Sequence, residues 1–125
     1  MPVMLALALQ LSPALSDDFQ ARVSQAKLAE SAATGPGYQK ALWDRIGNPT
    51  TDAYKSCLAS NTPADPSPFT MVANVTADGR LEHIDVQPQT AVAKCMAGQF
   101  SSWTLPPPPA APRPYPIEID FSIKK

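Results

Sequence analysis

His83, Asp85, Cys57 and Cys95 are the residues whose types and spacing could do chemistry. His83 is the sole histidine and lies inside the run Leu81-Glu82-His83-Ile84-Asp85-Val86-Gln87. In an extended strand Asp85, two residues on, shares its face and could orient the imidazole for proton transfer. A solvated surface pair is the commoner outcome for such neighbours. The GxSxG, GxGxxG and P-loop patterns are all missing from the chain. No catalytic residue is therefore assigned, and a small enzyme using His83 and Asp85 is kept only as an alternative. Cys57, Cys95, His83 and Asp85 add up numerically to a metal site, but no CxxC or HxxxH spacing supports one. Neither a metal, a cofactor nor a small-molecule substrate is expected.

The two cysteines sit on separate helical stripes. Tyr54, Cys57 and Leu58 fall at i, i+3 and i+4, and Val92, Cys95, Met96, Gln99, Phe100 and Trp103 follow the 3.6 period. An even count in a small exported domain predicts a disulfide. Closing that loop is worth about 4 kcal/mol by chain entropy. The alternative is two buried free thiols in a reducing compartment.

Composition narrows the class of partner. The chain has 125 residues, 44% of them hydrophobic, a formal charge of −1 and a pI near 5.7. That gives no basic footprint for nucleic acid or for an anionic membrane surface. The 15 prolines cluster at Pro63 to Pro68 and Pro106 to Pro116, which marks connectors. Val3 to Leu11 is an apolar run too short to span a bilayer. It is followed by Ala14-Leu15-Ser16, a small-residue cleavage pattern, although no Lys or Arg precedes it. Residues 1–16 are expected to be a secretory signal peptide cleaved near Ser16/Asp17, placing the protein in the periplasm. An ordinary buried N-terminal helix is the alternative.

Further along, helices are predicted at Asp17 to Ala33, Tyr38 to Ile46 and Asp52 to Ser60. Thr34-Gly35-Pro36-Gly37 and Gly47-Asn48-Pro49 are read as stops, with Thr51 as a cap. Phe69, Met71, Ala73 and Val75 alternate with Thr70, Asn74 and Thr76 as in a half-buried strand. Asp78, Gly79 and Arg80 form the structural turn of a hairpin, with Gly79 supplying a positive φ. Ile84 and Val86 share a face of the returning strand. A helix closing on Trp103, a core anchor, precedes a polyproline strap. Trp103 with the following prolines could be a groove ligand, but the structured flanks favour a strap. Tyr115, Ile117, Ile119 and Phe121 then alternate with Pro116, Glu118, Asp120 and Ser122 in a strand running to Ile123. Pro116 places one end of it at an edge. The expected domains are a helical arm at 17–50 and a folded domain at 51–125.

From Tyr54 onward these residues resemble the C-terminal domain of TonB-type energy transducers, and more closely the related AgmX/PglI-type periplasmic modules. The likeness rests on Val75-Thr76 before Ala77-Asp78-Gly79-Arg80, on Trp103 before Pro106, and on the terminal IEIDFSI. The positions of Cys57 and Cys95 are similar to those of the AgmX-like variants. The resemblance implies an α+β fold: a three-stranded antiparallel sheet (hairpin, helix, strand) with helices packed on one face, preceded by N-terminal helices. It also implies an envelope protein as partner, an outer-membrane receptor or an inner-membrane complex, met by strand addition along Tyr115, Ile117, Glu118, Ile119, Asp120 and Phe121. A homodimer is a further possible assembly. Tyr54 is followed by Lys55 where classical transducers have Tyr-Pro, and no long Pro/Lys/Glu-rich linker or full-length anchor is present. A free periplasmic module is therefore expected ahead of a membrane-tethered transducer subunit.

Overall fold

A computed structural model describes residues 18–122. The expected signal peptide and the end of the last strand at Ile123 lie outside those residues. Within them the chain forms α1 (18–31), α2 (Gly35–Ser60), β1 (Phe69–Val75), β2 (Leu81–Gln87), α3 (Ala91–Ser101) and β3 (Tyr115–Phe121). The fold is α+β, and its antiparallel sheet has the order β2-β1-β3.

One prediction is corrected. The break at Gly47-Asn48-Pro49 does not occur, and α2 runs through Pro49. A proline inside a helix forfeits one backbone hydrogen bond. Here the buried stripe Tyr38, Leu42, Ile46, Thr50, Ala53 and Cys57 continues on both sides and outweighs that loss. The Thr51 hydroxyl donates to the Gly47 carbonyl at 3.2 Å, so it braces the turn rather than capping a new helix. The boundary expected between residues 50 and 51 thus falls within α2.

Gly35 and Pro36 open α2, where a missing N–H costs nothing. A Cβ on Gly35 would lie 1.9 Å from the Glu30 carbonyl oxygen, so only glycine fits this corner. The corner lets the two helices take opposite faces of the sheet. On the inner face, Phe69, Met71, Ala73 and Val75 of β1 and Tyr115, Ile117, Ile119 and Phe121 of β3 form one core. Leu42 and Ile46 of α2 and Val92, Met96 and Phe100 of α3 complete it. Cys57 and Cys95 bridge the two inner helices with Cα atoms 5.7 Å apart. On the outer face Val72 is only 1% exposed although its parity points it away from that core. What covers it is α1, through Phe19 and Ala26, with Lys27 on Glu118 at 3.0 Å and Arg22 donating to the His83 carbonyl at 2.6 Å.

The hairpin turn is tied to the strap. Gly79 has φ +89°, and a Cβ there would meet the Leu105 carbonyl oxygen at 2.0 Å. Leu105 N–H donates to the Gly79 carbonyl at 2.8 Å. In β2 a bulge sets His83 and Ile84 opposite Ala73 alone, with His83 at φ 53°. Strict alternation would put Leu81 on the face opposite Val86. The extra residue resets the phase, so Leu81, Ile84 and Val86 all serve the core side.

The clamp on α1 carries a charge conflict. The Glu118 side chain is 6% exposed and has Lys27 as its cation, while Glu30 lies beside it. One ammonium serves two carboxyls, and a buried oxygen on each lacks a partner among the described residues. Burial first, and then the charge of Glu118, hold the Glu30 carboxyl above the usual glutamate range. A folded state that binds this proton more tightly is stabilised fully below the pKa of a free glutamate and loses that stabilisation as pH rises through the folded value.

Two outcomes are expected. Gly79→Ala should lower unfolding stability by about 2 kcal/mol or more, measured by denaturant titration, because it combines a positive φ with a backbone clash. Amide protection of α1, corrected for intrinsic exchange, should weaken as pH rises from the free-glutamate pKa through the higher folded value, and Glu30→Gln should flatten that profile. Wild-type protection that is constant or rising over that interval would contradict the assigned proton.

Candidate functional site

A three-stranded open sheet has two edges, and the sequence treats them differently. The outer strand β2 carries the bulge at His83, and Arg22 engages its carbonyl. Bulges and local cover are devices that blunt an edge against further pairing. The opposite outer strand, β3, pairs with β1 from Phe69↔Phe121 to Val75↔Tyr115 without a shift in register. A proline is accommodated in such a strand where its nitrogen faces away from the ladder. Pro116 therefore aims the backbone groups of Glu118 and Asp120, at the same parity, toward the free edge.

Along the second half of β3 that edge opens into a groove of about 250 Å³ beside α2. Ile119 to Ser122 form one wall, and Trp43, Thr50, Thr51 and Tyr54 form the other. The α2 positions recur at helical spacing, with Thr50 at the border of the buried stripe and Trp43, Thr51 and Tyr54 beside it. Trp43 is 39% exposed, and its indole Nε1 donates to Gln39 at 3.3 Å. Two hydroxyls in this wall, Thr50 Oγ1 and Tyr54 OH, are buried and have no hydrogen-bond partner among the described residues. Burial raises the Tyr54 phenol above its ordinary value, so it is a neutral donor and acceptor across the physiological range. A strand edge facing an open groove is a surface along which an incoming main chain can pair.

The residues singled out in the sequence have definite places around this groove. Tyr115, Ile117, Ile119 and Phe121 point inward and are buried, so β3 offers its backbone rather than these side chains. Glu118 is ion-paired to Lys27 on the outer face, and exposed Asp120 accepts from the Thr70 hydroxyl at 2.7 Å. At the far end the Tyr38 ring meets Tyr115 edge-on at 5.1 Å. Its phenol, pushed up to about 12 chiefly by burial, donates to the Pro106 carbonyl at 2.8 Å. Trp103 is half-buried and packs on Phe100 at 4.5 Å, on the rim of the core rather than in its centre. Asp78 and Thr76 share a hydrogen bond in the turn, and Arg80 bridges to Thr104. Cys57 and Cys95 are joined.

His83 and Asp85 are not brought together as a dyad. The bulge shifts His83 out of phase with Asp85, whose carboxylate accepts from Val86 N–H at 2.9 Å. Sequence reading missed the α2 wall, because Trp43, Thr50 and Tyr54 line up only when the helix continues through Pro49. No protein-family model, curated protein or solved structure matches the chain.

The parity of the edge is testable by proline scanning. Asp120→Pro should change unfolding stability by no more than about 1 kcal/mol, since its N–H faces solvent. Ile119→Pro, which removes a ladder donor and a buried side chain, should cost about 3 kcal/mol or more. Equal losses at the two positions would mean that the edge assigned here is wrong.

Proposed function

We propose that the chain is an exported, non-enzymatic protein-interaction module, resembling the C-terminal domain of TonB-type transducers, that receives an extended segment of an envelope protein along β3. The observation that carries this reading is the open β3 edge with Trp43, Thr51 and Tyr54 of α2 standing across a groove from it. Backbone hydrogen bonds to Glu118 and Asp120 would supply affinity, and contact with Trp43 would select the side chain beside it. The Cys57–Cys95 bridge is compatible with an oxidising compartment. Among the described residues no helix is long and apolar enough to cross a membrane. The resemblance supplies the class of partner, an envelope protein. A second copy of this chain, pairing β3 to β3, is the competing occupant of the same edge.

The test is photocrosslinking in intact cells from position 43, with Lys94 on the exposed side of α3 as the control. A discrete adduct with an envelope protein is expected at position 43, absent at 94 and lost when Asp120→Pro is added. An adduct that survives Asp120→Pro at equal protein level would remove strand addition as the mechanism. A crosslink only between copies of this chain would replace the envelope partner by a homodimer.

A further inference from the structure

A second concavity among the described residues is separate from the groove beside β3. It is a groove of about 630 Å³ on the other side of the molecule, between α1 and the proline strap, floored by Asn74. Its volume lies in the range of small-ligand sites. Leu28 and Ala29 of α1, with Ala32 just past its end, form one wall, and Pro112 and Pro114 of the strap, with Pro116 at the start of β3, the other. Leu28 is 70% exposed, the most exposed large hydrophobic side chain described. Exposed apolar surface in a concavity marks a binding region more often than a defect.

The walls decide what kind of ligand fits. A peptide lying here would need partners for its own N–H and C=O groups. The α1 wall has spent its backbone on helix bonds, and the prolines of the strap have no N–H to give. The groove therefore offers a main chain only the strap carbonyls and the Gln25 and Asn74 side-chain amides, whereas an alkyl chain needs no hydrogen bonds. The charged lining is of one sign. Arg22 and Arg113 are its ionisable members, and no acid lines it. Arg22 donates to His83 from Nη2 alone, and Arg113 makes no hydrogen bond or ion pair with the described residues. Guanidinium groups at the margin of an apolar trough complement a carboxylate or phosphate head.

We propose that the groove between α1 and the Pro112–Pro116 strap binds a single-chain anionic amphiphile, its apolar chain along Leu28 and the prolines and its head at Arg22 and Arg113. This groove touches β3 only at Pro116 and shares no residue with the groove along Ile119 to Ser122, so either assignment can fail without the other.

The probe is dodecanoate, titrated below its micelle concentration into the oxidised full chain and followed by amide chemical shifts. Shifts are expected at Arg22 to Ala32, Asn74 and Arg113, with β3 residues Ile119 to Ser122 unmoved. Leu28→Glu, at an exposed position that tolerates polarity, should abolish them. Arg113→Gln should weaken binding about tenfold, the change expected for losing one charge-assisted contact. Dodecyltrimethylammonium, with the same chain and the opposite head, should not compete. The proposal is overturned if dodecanoate causes no shifts, if the cationic analogue binds equally, or if Leu28→Glu leaves the titration unchanged. An acidic extended peptide that binds the groove while dodecanoate does not would also overturn it.

Discussion

The bridge between Cys57 and Cys95 is the constraint on which the inner layer depends. A chain of this length buries a limited share of its surface, so its core is only marginally favourable against conformational entropy. α2 and α3 are separated in sequence by the whole hairpin, and the sheet holds them only through side chains on one face. A covalent tie across a sequence separation of 38 removes about 4 kcal/mol of loop entropy from the unfolded ensemble. With α2 held, its flank stands at a fixed distance from β3. That spacing turns a bare strand edge into a groove with a second wall.

The two faces of the sheet are covered by different means. The inner face uses interlocking apolar side chains, with Phe69 stacked on Phe121 at 4.7 Å and Tyr54 edge-on to Phe121 at 5.8 Å. The outer face is mostly polar, and α1 sits on it through a few small apolar contacts and the Lys27–Glu118 pair. Apolar packing is insensitive to pH, whereas a crowded carboxyl pair is not. The layer formed by α1 is thus the more responsive of the two, although both are needed to keep Val72 and Met71 from water.

The period-2 runs made the strands and their inward faces legible, because alternation is a local property of the chain. The cysteine pairing was legible for a similar reason: two cysteines allow one bond, and each sat on an apolar stripe. Trp103 and the Asp78-Gly79 turn were also placed, though Trp103 lies at the rim. Two features were not readable. The helix through Pro49 depends on tertiary burial of Thr50, Ala53 and Cys57, which outweighs a strong local stop signal. The bulge at His83 depends on matching β2 to β1, and nothing in Leu81 to Gln87 marks an extra residue. Both misreadings bear on function, since one hid the groove wall and the other suggested a dyad.

Why the β3 edge stays open follows from the segment that precedes it. A strand edge left bare recruits any nearby chain with free donors and acceptors. The residues best placed to fold back onto β3 are those of the strap, yet seven of the eleven from 106 to 116 are proline. Each proline removes a donor, and consecutive ones favour a conformation that cannot pair in a ladder. The strap is instead fixed elsewhere, by Leu105 on Gly79 and by Tyr38 on Pro106. The segment most able to seal the edge is therefore chemically unable to do so. Among the described residues the backbone of Glu118 and Asp120 has no partner beyond β1, and proline placement keeps the strap from supplying one.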